Sequence, residues 1–165
     1  MERPDTPRLL RAYLADHQQL HRAGRELALR VRGREPDAEL AELLDDVAGE
    51  LRRQEQLAGV FLRQLGAGEP HLRLALAVLA ERIGRLKPNG RLFTSSPLAP
   101  VFELEVLESL LEISARAWRA LDHAGVVEGG LVQPRIAACE RLAPALERHR
   151  LAAARTALVP LGGDG

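Results

Sequence analysis

The chain has 165 residues, 46% hydrophobic and 28% charged, the composition of a single soluble globular domain with a sizeable core. Its 23 basic and 23 acidic residues cancel, which argues against a nucleic-acid binder, and only 3% are aromatic, which favours close-packed helices over sheets. The single cysteine, Cys139, excludes an internal disulfide and a cysteine-rich zinc site, and no apolar run approaches the ~18 residues that span a bilayer.

Residues 1–7 read as a flexible lead, with Pro4 and Pro7 as breakers and no apolar signal region, so a cytoplasmic protein is expected. One helical domain follows over 8–158. The first helix is expected from about Pro7 to Arg32, with Thr6 as its N-cap and Gly33 as its stop. Its inward stripe reads Leu10, Tyr13/Leu14, His17, Leu20/His21, Gly24, Leu27/Ala28, Val31. The second helix, opened by Asp37, runs to Leu65 and stops at Gly66. Its stripe carries Leu40, Leu43/Leu44, Val47, Glu50/Leu51, Gln54, Leu57/Ala58, Phe61 and Leu65. A short turn between two long helices makes them antiparallel neighbours.

A third helix is expected over about 70–86, apolar on most of its surface and so packed on more than one side. Residues 87–100 form an irregular segment, and Ser96-Pro97 supplies an N-cap and first-turn proline for a fourth helix reaching about Ala124. That helix aligns Leu104, Leu107, Leu111, Ser114, Trp118 and Leu121 on one face and Glu105, Glu108, Glu112, Arg116 and Arg119 on the other. Gly125 ends it. A fifth helix is expected from about Gln133 to Leu158, kinked at Pro144, before a flexible tail over 159–165. No strand is expected. The fold class is therefore all-α, an up-and-down bundle of four or five helices.

Polar groups in mid-stripe cost free energy unless they are paired or bind something. His17 and His21, at i,i+4, stack two imidazoles on one helix face, and Glu50 lies near the midpoint of the facing helix. A metal could use that set, with Glu105 as a further carboxylate and Glu108, Glu140 and Glu147 in reserve. The competing structural readings are a buried His–Glu or His–Gln hydrogen bond that fixes helix register, or His21 at the solvent edge. The Glu105, Glu108, Glu112 row also reads as a solvated face, with Arg116 as the i,i+4 partner of Glu112. A second cluster, Arg85, Lys87, Arg91, Ser95 and Ser96, could hold an anion at a helix N-terminus or be an ordinary capped loop. Cys139, inward with Ile136, Ala143 and Leu146, reads as a buried structural thiol. Trp118 reads as core, His123 as a helix C-terminal cation, and His71 and His149 as peripheral.

The helix order, with ADHQQLHRAGRELA in the first helix, ELRRQEQLAGVFLRQLG in the second and FELEVLESL in the fourth, resembles the ferritin-like superfamily. More narrowly it resembles small bacterial five-helix members of obscure, stress-associated function. The resemblance implies ferritin-like topology. It sets His17 at about the position of an acidic residue of the family, matches Glu105 to a carboxylate of the family's later helix, and leaves Glu140 or Glu147 for the last. Di-iron bundles also need Glu-x-x-His pairs, and none occurs here. The expectation is a degenerate ferritin-like bundle that works by association, as a homodimer or with a protein partner, without catalysis, nucleic acid or a membrane span. The alternatives are a bundle holding iron, manganese or zinc, and one binding a small molecule or anion.

Overall fold

The computed structural model of the protein describes residues 6–66 and 96–158. All of the regular structure among these residues is helical: α1 (Thr6–Arg32), α2 (Ala38–Gln64), α3 (Ala99–His123) and α4 (Gly129–Leu158). The expected apolar helix over 70–86, the loop residues 87–95, His71 and the two termini lie outside the described residues.

Local chemistry sets most of the helix ends. Asp37, in extended backbone at φ −75° and ψ 118°, accepts a hydrogen bond from Leu40 N at 3.1 Å and so caps α2. At the other end Arg11 of α1 donates to Leu65 O at 3.3 Å. Gly66 and Gly125 take φ of 65° and 66°, the left-handed conformation that lets a helix close off. After Gly125 the Val126 amide reaches back to Leu121 O at 3.0 Å and the Gly125 amide to Asp122 O at 2.9 Å, the paired bonds of a Schellman ending.

Thr6, expected as the N-cap of α1, is its first helical residue, and two further starts differ from the sequence expectation. Ser96 does not cap α3. Its hydroxyl accepts from Leu98 N and its carbonyl from Ala99 N, so Ser96-Pro97 makes a turn ahead of the helix. Leu98, which offers no side-chain cap, precedes the first helical residue, and Pro100 occupies the first turn, where its missing N–H costs nothing. α4 begins at Gly129 rather than Gln133, with Pro134 inside the helix, where its missing amide leaves the Gly130 carbonyl without its i→i−4 bond.

Side-chain pairs fix the helix directions. Arg11 meets Leu65 and Arg32 meets Asp45, so α1 and α2 are antiparallel. Arg119 meets Glu140 and Arg150 meets Glu108, so α3 and α4 are antiparallel. Arg34, just beyond α1, pairs with Glu103 near the start of α3, and His149 of α4 faces Glu39 at the start of α2. The contacts join α1 to α2 and α3, and α4 to α2 and α3. The directions are thus up, down, down, up, with α2 and α3 diagonal and parallel. The chain leaves α2 at one end of the bundle and enters α3 at the other.

The core is mainly Leu, Ala and Val. Leu14, Leu44, Leu51, Leu104, Leu107, Leu111 and Leu146 are almost wholly buried, and they fall on the inward stripes read from the sequence. Gly24 allows the close approach of three helices. A Cβ there would stand 3.0 Å from both Leu51 Cδ1 and Leu110 Cδ1, one methyl from α2 and one from α3. No helix among the described residues is long and apolar enough to cross a membrane.

Candidate functional site

The polar residues of the core meet in one layer at mid-bundle. His21, Glu50, Gln54 and Ser114 are its buried polar side chains, each no more than 2% exposed, with Trp118 and Cys139 beside them. Every helix contributes: His21 from α1, Glu50 and Gln54 from α2, Ser114 and Trp118 from α3, Cys139 from α4. Helical periodicity explains why they face inward, since each occupies a position that leucine holds one or two turns away.

Gln54 is the hub. Its amide nitrogen donates to Glu50 Oε1 at 3.1 Å and to Cys139 Sγ at 3.0 Å. Its amide oxygen accepts from the Trp118 indole at 2.9 Å. The second Glu50 oxygen receives Arg53 at 3.2 Å and Arg135 at 3.1 Å. Burial pushes the Glu50 carboxyl up, opposed chiefly by the Arg135 guanidinium and then by Gln54 and Arg53. Burial also pushes the Cys139 thiol up to about 11, which keeps it protonated and chemically quiet. Ser114 satisfies itself by donating to Leu110 O one turn back, at 2.7 Å.

The imidazoles stand apart from this network. His21 stacks near the Trp118 indole, with ring centroids 6.2 Å apart and planes 18° from parallel. Both of its nitrogens are buried with no hydrogen-bond partner among the described residues, and His17 Nδ1 shares that condition. His17 lies 6.3 Å from His21, centroid to centroid, and packs edge-on against Tyr13. Burial lowers the His17 pKa, and burial together with the neighbouring His17 lowers that of His21 to about 3. Two structural readings of the imidazole pair are corrected at His21. It is 1% exposed rather than at the solvent edge, and it does not form the expected His–Glu or His–Gln hydrogen bond, because Glu50 and Gln54 bond to each other and to arginines, Trp118 and Cys139.

The remaining candidates lie elsewhere. Glu105 is exposed on the outer face of α3. Glu108 and Glu147 meet across the α3–α4 seam with Arg150, whose Nη2 is 2.8 Å from Glu147 Oε1. Glu140 pairs with Arg119, and Glu112 with Arg116 at 2.9 Å, so this row behaves as a solvated, ion-paired face. Of the loop cluster, Arg85, Lys87, Arg91 and Ser95 lie outside the described residues, and Ser96 serves its turn.

A carboxylate-bridged metal pair does not fit this donor set. Glu50 gives its oxygens to guanidiniums and an amide, and among the described residues no three His, Cys, Asp or Glu side chains converge. No family model, curated protein or solved structure matches the chain. Sequence reasoning missed Arg135, an arginine that reads as one more surface charge. Its one available signal was its place one turn before Cys139 on the inward stripe.

Proposed function

We propose that this chain is a degenerate ferritin-like bundle whose centre is structural and which works by association. The observation that carries the reading is the occupied Glu50 carboxylate. In a metal-bearing bundle an inward glutamate offers its oxygens to the ion, whereas Glu50 is held by Gln54, Arg53 and Arg135. A guanidinium brings the positive charge that such a carboxylate needs to stay in the core. The up, down, down, up directions, with a single end-to-end connection between the second and third bundle helices, support ferritin-like topology.

With the centre occupied, the outer faces are left for function. On α4, Leu151 and Leu158 stand seven residues apart on one side and are 49% and 62% exposed. Sedimentation velocity tests the reading: a homodimer is expected, and Leu151→Glu with Leu158→Glu should weaken it about tenfold or more, the scale of losing one buried leucine from an interface. A strictly monomeric wild-type protein that also captures no partner through α4 would contradict it.

The partnerless imidazoles favour a second reading, in which His17 and His21 hold a single ion without Glu50. Metal analysis of wild type and His17→Ala separates the two readings.

A further inference from the structure

A groove of ≈ 540 Å³ runs along the solvent side of the α1–α2 seam, away from the central layer. Its walls carry Arg25 from α1 and Arg52 and Arg63 from α2, with Glu55 as the one carboxylate among its lining residues. Glu55 is engaged by Arg25 at 3.5 Å, while Arg52 and Arg63 have no carboxylate partner among the described residues. Arg25 Nε, the atom that faces Glu55, is buried and makes no well-formed hydrogen bond there. The chain as a whole is neutral, so this excess of positive charge is local rather than a general property.

The floor of the groove is Gly59. A Cβ built there would stand 2.9 Å from Gln18 Nε2 and 3.4 Å from Arg63 Nη1. The Gln18 amide therefore packs directly on the Gly59 backbone, with the Arg63 guanidinium beside it, an approach that only glycine leaves room for. Among the described residues the Gln18 amide donates only a long 3.4 Å bond to Glu55 O. Arg25 and Arg52 mark the other end of the groove. Arg52 and Gly59 are seven helical residues apart, about 10 Å along the axis.

We propose that this groove binds a small molecule carrying two oxyanion groups about 10 Å apart, of the phosphate-ester or phosphonate class. One oxyanion sits over Gly59 between Gln18 and Arg63. The other meets Arg52 and Arg25 at the far end. Neither contact involves the central layer, so the site stands or falls independently of how the protein associates.

The test is calorimetric titration of the full chain at low ionic strength with inorganic phosphate and with hexamethylene bisphosphonate, a probe that matches the ~10 Å spacing. The bisphosphonate should bind about tenfold more tightly than phosphate, since its second group binds at high effective concentration. Gly59→Ala should weaken it about tenfold. The same variant should melt at the wild-type temperature or above, because alanine favours the helix and the displaced Gln18 amide is the free end of a flexible side chain. Arg63→Gln and Arg52→Gln should each weaken binding, and Arg30→Gln, on an exposed position of α1 outside the groove, should not. Absence of binding overturns the proposal. So does Gly59→Ala binding as tightly as wild type, or Arg30→Gln costing as much as Arg63→Gln, which would mark diffuse charge attraction.

Discussion

At the scale of single residues the sharpest contrast is between Gln54, which uses both ends of its amide, and His21, whose nitrogens have no partner. A buried polar atom left unpaired costs about 1–3 kcal/mol. His21→Phe keeps a ring against Trp118 and removes that cost, so it should stabilise the protein at pH 7 by about 1 kcal/mol in urea unfolding. The pH dependence has a definite sign. An unfolded His21 takes its proton near 6.5, whereas the folded protein resists it until about 3. Stability is therefore lost as pH falls from about 6.5 towards 3, by up to about 1.4 kcal/mol per unit, and His17 adds loss of the same sign. Glu50, with its carboxyl raised, acts in the opposite sense and loses stability as pH rises through its folded pKa. The gain from His21→Phe should therefore grow between pH 6.5 and 4; a gain that shrinks with acid would show that His21 is already protonated and paired in the fold.

At the scale of helices, the sequence was most legible where glycine and aspartate punctuate it. Asp37, Gly66 and Gly125 end or begin helices by backbone chemistry that needs no neighbour. It was less legible where proline is ambiguous. Ser96-Pro97 and Pro100 are both plausible first turns, and the structure uses the second, while Pro134 lies inside α4 rather than at its start. Inward stripes were legible from period alone, and they correctly placed His21, Glu50, Gln54, Ser114, Trp118 and Cys139 at the core. Their partners were not, because which inward groups touch depends on helix rotation and register, set by packing. The same missing information hid Arg135 and the Gly59 groove. Gly125 offers a direct check on the helix ends. Gly125→Ala forces a Cβ into φ 66° and should cost about 1 kcal/mol in thermal or urea unfolding, whereas Gly130→Ala, in open space on α4, should be neutral or stabilising. Equal effects from the two would mean that the α3–α4 turn is not held as a Schellman ending.

At the scale of the whole molecule, four helices bury a leucine-rich core around one polar layer to which each contributes. Such a layer stabilises little beyond an apolar one, yet it penalises any register in which Glu50 loses Arg135 or Gln54 loses Trp118. That accounts for a buried charge surviving at the centre of an apolar core. The Glu50–Gln54–Trp118–Cys139 network within this layer is satisfied by its own members and by Arg53 and Arg135, so it needs no metal. Metal analysis by mass spectrometry on untagged wild-type and His17→Ala protein checks this. Neither protein should hold stoichiometric iron, manganese or zinc, and adding these ions should leave the melting temperature unchanged. One equivalent of metal in wild type, absent from His17→Ala, would contradict it and make the imidazole pair a working site.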